Sequence, residues 1–190
     1  MSPAVPNAAE PGEVLSFWLQ AGPEKWFASD PAFDEAVRAR LLPLHEAAAA
    51  GALASWTGTA EGALALVLLL DQVPRNVFRG TPAAFASDPK ALAVAEAALA
   101  RGDDEAGRLG RFEPLCSFFY LPLMHAEDPG RQAHCVDLFR ALGDENGLKY
   151  ALIHQDIIDR FGRFPHRNPI LGRDMRTDER AYLDAGGFRG

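Results

Sequence analysis

From His154 to Asn168 the chain reads His-Gln-Asp-Ile-Ile-Asp-Arg-Phe-Gly-Arg-Phe-Pro-His-Arg-Asn, so two histidines and three arginines crowd one helix end and the turn behind it. No acidic residue stands between Asp159 and Asp174. Cations favour a helix C-terminus, but Arg160, Arg163, Arg167 and Arg173 together exceed what that needs. Guanidinium forks bind carboxylates and phosphates bidentately. The pattern suits a small anionic molecule or the acidic end of a peptide, held by Arg163, Arg167 and Asn168. His154 and His166 are the candidates for proton transfer, since a half-buried imidazole beside a carboxylate is the usual setting of a proton shuttle.

A related turn, Asp71-Gln-Val-Pro-Arg-Asn76, closes the apolar run Leu64–Leu70. A carboxylate there faces the negative end of the helix dipole, and burial adds to the cost unless it is paired. Arg75, one turn on, is its natural partner. Asp71 is then either half of a salt bridge that locks the turn or the group that orients an arginine or histidine of a site, with Arg75 and Asn76 as ligand contacts. A third group is His125 and Glu127, which can converge only if Pro122 bends the chain. A site drawing on all of these residues requires the corners near 75 and 165 to meet. The competing readings are that His154 is a satisfied core residue, and that the arginines pair with internal acids such as Asp71, Asp156 and Glu127.

Metal ligation by histidines is not supported, because no His-x3-His or Cys-x2-Cys pair is present. No metal or other cofactor is expected. A glycine-rich phosphate loop and a nucleophile elbow are also absent.

The elements that must carry these groups read as helices. Glu13–Gln20 forms a short one. Ser29-Asp30-Pro31 starts a helix to Gly51 with Phe33, Val37, Leu41 and Leu44 on one stripe and a bend at Pro43. Glu61-Gly62 opens a helix that is apolar nearly all round, hence central, ending near Val73-Pro74. Ser87-Asp88-Pro89 opens an alanine-rich helix to about Gly102, and Pro114 opens an aromatic one. Asp128-Pro129 starts a helix to Gly143, Asp144 the helix carrying His154, and Thr177 a last short one. On that last long helix Tyr150, Ile157, Ile158 and Phe161 share the face of His154. No stretch alternates with period two, so no sheet is expected.

The 190 residues suit a single α-helical domain over 10–190 behind a loose tail at 1–9. A formal charge of −7 argues against nucleic acid as a partner. Cys116 and Cys135 sit in apolar segments and read as buried free thiols. No basic-then-apolar leader opens the chain, and the longest apolar run is far too short to span a bilayer, so a cytoplasmic protein without membrane contact is expected. The composition fixes no oligomeric state.

Phe17-Trp18, Gly22–Phe27, Leu69–Asn76, Tyr120–His125 and Arg160–Asn168 together resemble the DUF924 family of bacterial proteins, a likeness that runs from about Glu10 to Phe188. It implies an all-α, tetratricopeptide-like fold of stacked antiparallel helices and no established activity. The matching positions are Asp71, Gln72, Pro74, Arg75, Asn76, His125, Glu127, His154, Arg163, Pro165, His166, Arg167 and Asn168. Two departures, Ala126 where the family often has serine and Asp174-Met175 where it often has Ser-Thr after the Gly172-Arg173 pair, argue against an essential serine nucleophile. Three functions stay open: anion binding, a hydrolase-like enzyme with a His–carboxylate pair, and a protein-interaction module whose polar motifs only lock turns.

Overall fold

The computed structural model describes residues 9–189. The expected tail, residues 1–9, lies outside them apart from Ala9. The chain is all-α, with no strand among the described residues. No helix among them is long and apolar enough to cross a membrane. The fold separates into two compact units, the first running up to Arg79 and including Ala83–Pro122, the second comprising Gly80–Pro82 and the chain from Leu123 onward.

In the first unit, α1 (Pro11–Ala21), α2 (Pro23–Trp26) and α3 (Pro31–Ala49) precede α4 (Ala60–Val67). Asp30 caps α3 by accepting the N–H groups of Ala32 and Phe33 at 2.9 and 3.2 Å, and α3 runs unbroken across Pro43. Every residue of α4 from Gly62 to Val67 is buried, as an all-round apolar helix must be. It packs against α1, α6 (Asp88–Ala100) and the 3-10 turns at Ala54–Gly58 and Gly110–Phe119.

The helix does not stop at Val73-Pro74. It widens into a π turn at Leu68–Gln72 and continues as α5 (Val73–Val77). The cause is Pro74, which has no N–H to give the Leu70 carbonyl and would clash with it in a regular helix. The Val73 N–H reaches back to Leu68 instead. Two freed carbonyls are satisfied from outside the helix: Leu69 accepts from His45 Nδ1 at 2.8 Å, and Leu70 from the Ser87 hydroxyl at 2.5 Å. Left alone, each would cost about 1–3 kcal/mol. Ser87 is therefore spent on this carbonyl and makes no side-chain cap for α6.

The aromatic segment is a 3-10 helix over Gly110–Phe119 and begins ahead of Pro114. Glu113 starts it early by accepting the N–H groups of Gly107 and Leu109 at 2.7 and 3.2 Å. Cys116 and Cys135 are free and buried. Burial pushes their thiols up to about 11 and about 12, so neither is a ready nucleophile.

α7 (Leu121–Met124) carries Pro122 in its first turn and leads into the second unit, which holds α8 (Pro129–Leu142), α9 (Glu145–Phe161), α10 (Asn168–Leu171) and α11 (Thr177–Asp184). Gly143, at φ 74°, ends α8, and Asp144 caps α9 by accepting the Gly147 N–H at 2.9 Å. α8 packs closely on α9 because Gly147 has no side chain: a Cβ there would lie 2.3 Å from the Phe139 ring. The buried face of α9 is Ala151, His154, Ile157, Ile158 and Phe161. Tyr150, expected on that face, is 42% exposed; only its carbonyl serves the interior, as described below.

Candidate functional site

The Asp71–Asn76 motif forms a closed network in the first unit. Asp71 is fully buried. Its carboxylate accepts from Gln72 Nε2 at 2.6 Å and lies 3.1 Å from Arg75 Nη1, which also donates to the Asp71 carbonyl. The Arg75 fork closes on both oxygens of Asp88 at 2.8 and 2.9 Å. Asn76 donates to Asp34 at 2.8 Å, and Arg79 clasps the same carboxylate. The motif therefore ties α3, the π turn, α5 and the start of α6 together. Of the two expected roles for Asp71, this geometry is that of the lock, and the Arg75 and Asn76 side chains are engaged by internal carboxylates.

In the second unit Arg163 is also engaged. Its Nε and Nη2 donate to Glu179 at 2.6 and 2.9 Å, and Nη2 also to the Asp174 carbonyl. Glu179 is fully buried and further accepts from the Arg176 N–H at 2.8 Å and Asn168 Nδ2 at 3.0 Å. The Arg163 hydrogen bonds, opposed by burial and aided by the Arg176 N–H, hold its carboxyl down at about 2. Glu127 plays a matching part. It accepts the Phe164 N–H at 2.8 Å and both Arg173 Nη atoms at 2.7 and 3.0 Å. Burial pushes its carboxyl up, but these bonds outweigh that and keep it below the ordinary range.

The remaining expected residues lie in the second unit. His154 and His166 gather around Phe164 and Phe188, with His125 beside His154. The His125 and His154 ring centres are 6.4 Å apart. His154 meets Phe164 and Phe188 at 5.4 and 4.6 Å, and His166 meets both at 5.7 Å. The Arg167 guanidinium lies over the Phe164 ring at 4.4 Å. His154 comes from the apolar face of α9 and donates Nδ1–H to the Tyr150 carbonyl one turn back at 2.8 Å, which fixes its tautomer. His166 and Arg167 come from the short 3-10 turn Pro165–Arg167, which Gly162 makes possible by ending α9 at φ 69°. Burial, then the charge of Arg167 and the neighbouring His154, lower His166 to about 3, only partly offset by Glu127. At neutral pH His166 is thus a neutral imidazole, with one N–H to donate and one ring nitrogen to accept. Its Nδ1 is buried without a hydrogen-bond partner.

His125 and Glu127 both lie in the turn after α7. The residue that holds the turn was missed by sequence reasoning. Gln132, fully buried in α8, donates Nε2 to the carbonyls of Met124 and Ala126 at 2.7 and 2.8 Å. Glu179 was read only as part of the start signal of α11, where it fills a capping-box position three residues after Arg176; its hold on Arg163 was missed. Among the described residues no group of three or more His, Cys, Asp or Glu is arranged to hold a metal ion. An open cleft of about 600 Å³ lined by Arg160, Asp178, Ala181, Tyr182 and Ala185–Gly187 includes none of the expected site residues.

The described residues make an all-α protein with arginine–carboxylate locks in each unit and an imidazole cluster in the second. The chain belongs to DUF924, described as a bacterial protein of unknown function, which it matches over residues 14–187. It is similar to a solved structure of the protein of unknown function ATU0120 from Agrobacterium tumefaciens, at 47% identity and a TM-score of 0.87, over 93% of this chain and 97% of that one. No curated protein matches it.

Proposed function

We propose that the protein binds a small anionic group, a phosphate or a carboxylate, at the His125–His154–His166–Arg167 cluster of the second unit. The observation that carries this reading is the buried Nδ1 of His166, which no protein group satisfies, beside the positive charge of Arg167. A buried polar nitrogen without a partner costs about 1–3 kcal/mol. An anion's oxygen would accept from a neutral imidazole N–H and be balanced by the guanidinium. Compared with the contacts expected from sequence, the site contracts: Arg75, Asn76, Arg163, Asn168 and Glu127 support the scaffold, and the histidines with Arg167 face the ligand.

The test is equilibrium binding of inorganic phosphate and of citrate, followed by the histidine ring signals in NMR and by calorimetry. Binding that His166→Ala abolishes and Arg79→Ala leaves intact supports the reading. Absence of binding by either anion, or binding indifferent to His166→Ala, sinks it.

A second reading is favoured by the saturation of Arg75, Arg79, Arg163 and Arg173 on internal carboxylates, together with the exposure of Leu142, Tyr150 and Leu152 on α8 and α9. Here the locks stiffen a helical scaffold that presents a surface to a protein partner. The acid/base reading would rest on His154, because a pKa lowered to about 3 makes His166 a weak base with no second proton to give at neutral pH.

A further inference from the structure

The histidine cluster is roofed by the end of the chain. After α11 the backbone turns at Gly186, where φ is +84°. It then passes Gly187 and places the Phe188 ring edge-on against His154 at 4.6 Å and His166 at 5.7 Å. The segment is pinned at two points: the Phe188 N–H donates to the Tyr182 hydroxyl at 3.0 Å, and Arg189 donates to the Leu183 carbonyl at 2.5 Å. Phe188 is only partly buried and packs at the margin of the cluster formed by Ile157, Ile158, Phe161 and Phe164. The pinning depends on Gly187. A Cβ there would lie 2.5 Å from the Tyr182 ring, which packs on Phe161 and the Arg160 guanidinium at 5.2 and 4.9 Å, so that the ring or the segment must shift.

Each contact is local and few residues are involved. The roof can therefore open without unfolding α9 or α11, as a short segment held by a handful of bonds does. We infer that Phe188 is a displaceable plug over His154 and His166, and that its movement admits the ligand to the cluster. The second half of that statement rests on the anion-binding reading above; the first does not.

The test separates the two. The full-length protein is treated with diethyl pyrocarbonate, and labelling of each histidine is followed by mass spectrometry. Exposed His134 on α8 serves as the internal standard, and urea unfolding followed by far-ultraviolet circular dichroism reports loosening of the second unit. Phe188→Ala removes both ring contacts and is expected to raise labelling of His154 and His166 by about tenfold, with His134 labelling and the unfolding curve unchanged. Should the unfolding curve shift as well, the variant has loosened the fold. Gly187→Ala then decides, because it unseats the segment through the Tyr182 clash and leaves the Phe188 side chain in place. Unchanged labelling of His154 and His166 in Phe188→Ala, or in Gly187→Ala where that variant decides, overturns the plug. Phosphate binding by the same variants supplies the other arm. Increased labelling without phosphate binding in any form keeps the plug and removes the anion reading. Phosphate binding with unchanged labelling keeps the anion reading and removes the plug.

Discussion

Glu179→Gln is the sharpest test of the second unit's lock. Glu179 is fully buried and accepts from Arg163 Nε, Arg163 Nη2, the Arg176 N–H and Asn168 Nδ2 at 2.6–3.0 Å. Glutamine fits the space but turns one acceptor oxygen into an NH₂ that faces donors. Removing one partner of a buried pair typically costs about 3–5 kcal/mol. Arg163 and Arg176 keep 24% and 49% of their side chains in solvent, which screens the loss and brings the expectation down to about 2 kcal/mol. The pH dependence is more telling than the size. The carboxyl is held at about 2 against an ordinary 4.5. A depressed carboxyl contributes stability that is complete above pH 4.5 and drains away as pH falls toward 2. The gap between wild type and Glu179→Gln should thus be widest near pH 6–7 and shrink steadily below pH 4.5. Urea unfolding followed by far-ultraviolet circular dichroism measures it; the three tryptophans, Trp18, Trp26 and Trp56, all lie in the first unit and report poorly on the second. A gap that is the same at pH 3 as at pH 7, or a loss below about 0.5 kcal/mol, refutes the reasoning.

Other expectations follow from single contacts. Ser87→Ala leaves the Leu70 carbonyl buried without its donor and should destabilise the first unit by about 1–3 kcal/mol in the same unfolding measurement. Gly147→Ala drives a methyl group into the Phe139 ring and should cost about 1–3 kcal/mol, where an ordinary helical Gly→Ala change would stabilise. His166, lowered from 6.5 to about 3, should remain unprotonated in an NMR titration down to about pH 4. Since the unfolded chain takes up that proton first, its contribution to stability is complete above pH 6.5 and declines as pH falls toward 3.

Much of the scaffold was legible before any coordinates. Asp30, Asp128 and Asp144 cap the helices they precede, and Gly143 and Gly162 end theirs in the left-handed conformation. These are local signals, written in residues adjacent to the atoms they satisfy. The pairing of Asp71 with Arg75 was legible for the same reason, being one helical turn apart. The continuation past Pro74 was not, because the groups that rescue its freed carbonyls, His45 and Ser87, stand 24 and 17 residues away.

The site divides along the same line. Residue types alone marked the Arg163–Asn168 segment and the His125–Glu127 turn as places where polar groups gather. Which arginine pairs with which carboxylate was decided by tertiary partners. Glu179 claims Arg163, Asp88 claims Arg75 and Arg173 claims Glu127. Phe188 comes to lie on two histidines with nothing in its own sequence neighbourhood to announce it. Charge and periodicity are properties of a segment and can be read along the chain. The choice of partner for a buried ion depends on which opposite charge the folded backbone brings within about 3 Å, and only the packed helices set that distance.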